Sequence, residues 1–262
     1  MFDTRPDPEA ISGLLPGHTM FGPIRVVDST GSTNSDLAQA ARAGAAPGQV
    51  LIAREQTSGR GRLARQWVSP AGRSVSLSVL LAPRAEPKDW GWLSLLTGLA
   101  VRAALAGLAP AGVQVTLKWP NDVLIDGRKV CGILSERLEQ QGRALAVVGL
   151  GINLTLTEEQ LPVPNATSLA IAGYSTNAND VVAGVLNAFE RYYRKWEASS
   201  TLRDDYLAQC SSIGAELTIT PTGGAPLPGV GHGIAADGSL EVRTADGIRS
   251  FAVGDVVHAR LA

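Results

Sequence analysis

The chain has 262 residues, 45% hydrophobic and 18% charged, which is enough for one or two domains with a sizeable core and too apolar for a disordered chain. Its 23 basic and 24 acidic residues give a formal net charge of −1, so the chain as a whole is no basic nucleic-acid binder, and basic chemistry must be local. Two cysteines, Cys131 and Cys210, lie too far apart for a metal motif or a disulfide framework and suit a reducing cytoplasm. The N-terminal stretch lacks the basic and apolar regions of a signal peptide, and no run of about 18 apolar residues marks a membrane span. Residues 1–20 read as a flexible lead-in.

In chain order, "IRVVD" at 24–28 reads as a strand. "STGSTNSDLAQAARAG" follows, with Ser32, Thr33 or Asn34 placed to cap a helix and Gly44 to close it. "QVLIAR" at 49–54 is a second strand. "SVSLSVLLA" at 74–82 alternates serine with apolar residues, the pattern of a half-buried strand. Residues 92–108 are rich in alanine and leucine and free of proline, and predict a mostly buried helix. "VQVTLKWPNDVLIDGRKVCGILSER" reads as three strands. Pro120 has no N–H to donate and interrupts the first two, and Asp126-Gly127 is a hairpin signal. "ALAVVGLGINL" at 144–154 predicts a central strand whose glycines let a ligand approach. Helices are expected at 180–198 and 201–210. After Ser212, short alternating strands between Gly/Asp turns predict a small β-barrel of about 50 residues, with a boundary near 211–214.

Four stretches could carry chemistry. "EQTSGRGRLARQW" places Arg60, Arg62 and Arg65 beside Gly59 and Gly61. Guanidinium forks bind phosphate in two-point geometry and glycines let backbone N–H groups approach an anion, although an isolated GRGR also reads as a solvated loop or an RNA contact. In "KWPNDVLIDGRK", Lys118 and Lys129 bracket Asn121 and Asp122, a set that could hold phosphates and magnesium or be solvated hairpin residues. "VVGLGIN" places Gly149 and Gly151 in an apolar strand ahead of Asn153, without the spacing of a dinucleotide fingerprint. "GSTN" and Gln56 supply uncharged hydrogen-bonding groups, or plain helix caps.

Together and in this order, "STN", "EQTSGRGRLARQW", "KWPNDVLIDGRKVCGIL", "VVGLGIN" and a small C-terminal β-module resemble the biotin protein ligases, from about residue 21 to the C-terminus. The resemblance implies an α+β fold. A mixed sheet flanked by helices, related to class II aminoacyl-tRNA synthetase cores, would form a biotin- and ATP-binding catalytic domain at 21–211. An SH3-like barrel would follow at 212–262. It implies formation of biotinyl-5′-AMP from biotin and ATP, then transfer to a lysine of the biotin carboxyl carrier domain of acetyl-CoA carboxylase or a related carboxylase. Ser32, Thr33, Asn34 and Gln56 match the positions around biotin's ureido head. Arg60, Gly61 and Arg62 match the loop over its carboxyl and the α-phosphate, with Gly132 also at the biotin. Lys129 matches the lysine at the reacting groups, and Arg62 and Asp122 join it as catalytic candidates. Arg65, Trp67, Lys118, Asn121 and Asn153 match the nucleotide side. Asn121 and Asp122 match the polar pair near the nucleotide and metal; no protein ligand set is assigned, and Mg2+ would come with ATP.

The first strand comes too early for a preceding helix-turn-helix domain, so the resemblance is to the monofunctional type, with no DNA or membrane partner and a homodimer left open. The family often has glycine where this chain has Ala64, which bears on the loop's closed geometry if the backbone there needs positive φ. Cys131 stands where alanine is common and reads as a small core hydrophobe. Residues 57–67 are expected to be mobile without ligand, since glycines and like charges give them little to pack against. The alternatives are a lipoate–protein ligase of the same architecture and a non-catalytic RNA-binding module using the RG loop.

Overall fold

The computed structural model describes residues 3–140, 142–175, 177–252 and 254–258. A seven-stranded sheet runs in the order β1-β2-β3-β7-β6-β5-β4. Its strands are β1 (Ile24–Val27), β2 (Val50–Ala53), β3 (Ser74–Leu81), β4 (Val115–Lys118), β5 (Asp122–Ile125), β6 (Arg128–Gln140) and β7 (Arg143–Asn153). Only β1 and β2 pair in parallel; the other neighbours are antiparallel. The three strands read from "VQVTLK…GILSER" are β4, β5 and β6. Asp126 (φ 47) and Gly127 (φ 78) both take positive φ, as a tight two-residue hairpin turn requires.

One face of this sheet packs on α3 (Trp92–Leu108) and α4 (Ala178–Ser199). Val75, Leu77 and Val79 of β3 and Val148, Leu150 and Ile152 of β7 join Leu96, Leu99, Phe189 and Trp196 in one buried cluster. On the other face, α2 (Thr33–Arg42) covers one end, setting Leu37 and Ala41 against Leu51, Leu80, Leu145 and Val147. Ser32 is the residue that caps α2. The half-buried reading of β3 needs correction, because all eight of its residues are buried. Ser74, Ser76 and Ser78 are covered because hydroxyl partners lie over them. The Ser69 hydroxyl is 2.7 Å from that of Ser74, and the Ser78 hydroxyl donates to Asn34 Oδ1 at 2.6 Å and lies 2.7 Å from the Thr33 hydroxyl.

Within the lead-in expected at 1–20, the described residues, 3–20, are not simply flexible. They carry α1 (Pro8–Gly13), started by Asp7, whose side chain accepts from the Ala10 N–H, with proline in the first turn. Ile11 is fully buried, and Thr19 donates to Glu190 of α4 at 2.6 Å. The helix expected at 201–210 is shorter, α5 (Arg203–Leu207).

A five-stranded antiparallel sheet follows, in the order β11-β10-β9-β8-β12. It consists of β8 (Glu216–Thr220), β9 (Leu227–Ile234), β10 (Leu240–Thr244), β11 (Gly247–Phe251) and β12 (Asp255–His258). Its inward residues Leu217, Ile219, Ile234, Leu240 and Val242 are continuous with the main core. Indole N–H groups fasten the two sheets together. Trp119 donates to the Gly238 carbonyl at 3.0 Å, and Trp92 to the Ala236 carbonyl at 2.7 Å. Among the described residues, no helix is long and apolar enough to cross a membrane.

Candidate active site

The second face of the main sheet, beyond the end covered by α2, opens into a cavity of about 430 Å³. Every residue singled out above as a candidate site residue, from Ser32 to Asn153, lines it. Residues far apart in sequence converge there because α2, the arginine loop, the β4–β5 turn and the middle of β6 and β7 all meet on the same strands.

The arginine loop is itself a small hairpin. The Gln56 N–H donates to the Ser69 carbonyl (3.1 Å), Trp67 to Gly59 (2.9 Å) and Gly61 to Arg65 (2.7 Å). A Cβ on Gly59 would come within 2.4 Å of the Trp67 carbonyl oxygen, so this glycine is required for close approach. The left-handed residue of the tip is Leu63 (φ 53, ψ 43). The expectation that the loop has little to pack against also needs correction, since acidic groups from other elements meet its arginines. Arg60 Nη2 is 2.8 Å from Glu136 of β6, and Arg65 pairs with Asp255 of β12. Arg62 Nη1 is 3.3 Å from the Gly254 carbonyl and 3.5 Å from Asn121 Oδ1.

The floor is built on glycines, and the molecule's own side chains lie over them. Gly132 and Gly151 are register partners on β6 and β7. A Cβ on Gly151 would come within 2.3 Å of the Trp67 indole, and one on Gly132 within 3.0 Å. A Cβ on Gly149 would come within 2.0 Å of Asn34 Oδ1. The strand glycines therefore seat Trp67 and Asn34. Asn34 accepts from Ser78 and donates to Glu136 (2.7 Å) and to the Leu134 carbonyl (3.1 Å), so both ends of its amide have protein partners. Gln56 Oε1 accepts from the Thr33 N–H at 2.8 Å, and Asn153 donates to the Thr167 carbonyl at 2.9 Å.

Lys129 stands just past the hairpin turn. Its N–H donates to the Asn165 carbonyl (2.7 Å) and its own carbonyl accepts from Thr167 (2.8 Å), which clamps the start of β6. Its Nζ lies 2.6 Å from Asp122 Oδ1 and 5.8 Å from the Trp67 ring centre. Among the described residues, five cations line the cavity: Arg60, Arg62, Arg65, Lys118 and Lys129. Arg60, Arg65 and Lys129 each have a carboxylate partner. Among the described residues, Arg62 and Lys118 have none within salt-bridge distance, and burial lowers the pKa of both. An anion bound beside them would offset that desolvation by charge pairing. Cys131 is fully buried, and burial pushes its thiol pKa up, so it is a packing residue and no nucleophile.

Sequence reasoning missed Asp255 and Glu136. Asp255 follows a glycine in a short tail strand, and Glu136 sits in "SER" on a strand, where both read as solvated charges. Among the described residues, no group of three or more His, Cys, Asp or Glu side chains could hold a metal ion.

A model of the biotin/lipoate A/B protein ligase family matches residues 24–153. The biotin–[acetyl-CoA-carboxylase] ligase of Mycobacterium tuberculosis is 38% identical over 242 residues, which span 90% of this chain and 89% of that protein. The ligase of the same name from Paracoccus denitrificans is 33% identical over 223 residues, spanning 82% and 91%. Among solved structures, the biotin protein ligase from Aquifex aeolicus in complex with biotin and ATP is similar with a TM-score of 0.74 at 26% identity, covering 92% of this chain and 100% of that one. At 38% identity to the Mycobacterium tuberculosis ligase over nearly the whole of both chains, the protein belongs to the biotin/lipoate A/B protein ligase family.

Proposed function

We propose that the protein activates biotin with ATP to biotinyl-5′-AMP and transfers the biotinyl group to a lysine of a carboxylase's biotin carboxyl carrier domain. The observation that carries this reading is the division of the cleft. One end offers uncharged hydrogen-bonding groups, Ser32, Thr33 and Gln56. The other holds two half-buried cations, Arg62 and Lys118, that lack a carboxylate partner within salt-bridge distance among the described residues. Biotin has a neutral ureido head and an anionic tail, and ATP is strongly anionic, so the two ends suit the two substrates. Two of the relatives named above are biotin–[acetyl-CoA-carboxylase] ligases, and the similar solved structure is a biotin protein ligase in complex with biotin and ATP.

In the first step a biotin carboxylate oxygen attacks the α-phosphorus, a P–O bond forms, and the bond to pyrophosphate breaks. Repulsion between the anions opposes this approach, and cations fixed beforehand reduce it at no reorganisation cost in the transition state. Lys129, held by Asp122, and Arg62 are the groups placed to do so. In the second step the acceptor amine attacks the acyl carbon, AMP leaves, and the amine loses a proton. The mixed anhydride must be kept from water, which is the task of the arginine loop and Trp67. Magnesium would come with the phosphates of ATP. Residues 21–211 form the catalytic domain on this reading. Residues 212–262 form an SH3-like module that closes one wall of the cleft through Asp255. The buried, unpaired cysteines suit work in the cytoplasm.

The test is to supply Mg-ATP and a carrier domain with biotin or with lipoate, and to detect the modified lysine by mass spectrometry. Biotin transfer with no lipoate transfer is expected. Lipoate transfer without biotin transfer would replace the reading with its nearest alternative.

A further inference from the structure

We infer that Glu136 is a positioning residue for this ligase, a latch that fixes the arginine loop through Arg60. It follows that Arg60 serves the loop's closed geometry and is not one of the anion-binding arginines. The inference rests on the ligase reading proposed above.

A single carboxylate oxygen carries the argument. Glu136 Oε2 accepts from Asn34 Nδ2 at 2.7 Å and from Arg60 Nη2 at 2.8 Å. The two donors differ in kind. Asn34 is 5% exposed, its Oδ1 accepts from Ser78 on the central strand, and its seat requires the glycine at position 149. Arg60 belongs to the loop and its side chain is 46% exposed. The inner partner is therefore fixed by the core, and Glu136 passes that fixed position outward to the loop. Arg60 also forms a backbone bridge with Gln66, next to Trp67. Holding Arg60 thus holds the turn that places Trp67 over Gly132 and Gly151.

The charges agree with this division of labour. Arg60 is matched by Glu136 and Arg65 by Asp255, one at each end of the loop. Arg62 lies between them, half-buried, and is hydrogen-bonded to a carbonyl and an amide oxygen, with no carboxylate within salt-bridge distance among the described residues. The outer arginines have carboxylates to hold them in place, and the middle one is left to meet substrate.

Glu136→Gln tests this, because glutamine keeps an acceptor for Asn34 and removes the charge that holds Arg60. Tryptic cleavage within residues 59–67 should rise about two- to fivefold, the range for a partly exposed ion pair. KM for biotin in pyrophosphate exchange should rise by a similar factor, while kcat changes less. Labelling of a bystander albumin by escaped adenylate should also increase. Arg60→Met should give the same rise in KM, in adenylate escape and in cleavage after Arg62 and Arg65, and the double variant should be no worse than either single one. A Glu136→Gln protein indistinguishable from wild type, or effects that add fully in the double variant, would overturn the latch. So would a drop in melting temperature with cleavage and KM unmoved. If wild type shows no biotin-dependent exchange, the ligase reading falls instead, and cleavage of the ligand-free proteins still decides the latch.

Discussion

The two faces of the main sheet are both covered, but by opposite chemistry. Toward α3 and α4, β3 and β7 present Val75, Leu77, Val79, Val148, Leu150 and Ile152 to a continuous apolar core. Toward the cleft, the same two strands present Ser74, Ser76, Ser78, Gly149, Gly151 and Asn153. These are register neighbours, with Ser74 opposite Asn153, Ser76 opposite Gly151 and Ser78 opposite Gly149. The apolar face gains stability from area removed from water and needs no particular partner. The polar face is stable only because each hydroxyl and amide finds a specific partner, and its glycines give Trp67 and Asn34 somewhere to sit. One face holds the protein together and the other is arranged for chemistry.

Substitutions on each face should therefore fail differently. Leu77→Ala, at a residue 1% exposed on the apolar face, should cost about 2–5 kcal/mol of stability, read by denaturant unfolding. Biotin affinity of the protein that remains folded should stay close to wild type. Lys129→Ala should reverse that pattern. Adenylate formation should fall by roughly 10²–10³, as for loss of one electrostatic stabiliser, with the unfolding midpoint little changed. Gly151→Ala touches both properties, because its methyl would enter the space of the Trp67 ring. Calorimetry should show a loss of about 1–3 kcal/mol from overpacking, together with weaker biotin binding. The smallest effect concerns Glu190, the charged fastening that ties residues 19–20 to α4. Burial alone would raise its pKa, but hydrogen bonds from Thr19, Arg194 and the Met20 N–H outweigh it and leave the carboxyl below its usual range. A carboxyl whose pKa is depressed by folding stabilises the protein above its unfolded pKa, about 4.3, and that contribution is lost as pH falls through the folded value. Wild type should therefore be more stable than Glu190→Gln near neutrality, and the two unfolding curves should converge on acidification.

The residues that line the cleft were legible because they stand beside marked places in the chain: at glycines, at the Trp119-Pro120 break and at the Asp126-Gly127 turn. The helix at Trp92–Leu108 was legible for a simpler reason, an uninterrupted run of good helix formers. Burial of the serine face was not, because alternation reports polarity, and a polar face reads as solvated unless its partners are known. Those partners, Thr33, Asn34 and Ser69, come from other elements. The same limit hid Glu136 and Asp255, whose meaning depends on arginines 76 and 190 residues away. The strand glycines were recognised as places of close approach, but sequence did not reveal that the approaching groups belong to the protein itself.

The central claim is that the polar face activates biotin with ATP, and biotin-dependent exchange of labelled pyrophosphate into ATP measures that step without an acceptor protein. The wild-type chain should catalyse exchange only when biotin is present, and Lys129→Ala should largely abolish it. Exchange that proceeds equally without biotin, or that survives unchanged in the lysine variant, would contradict the account.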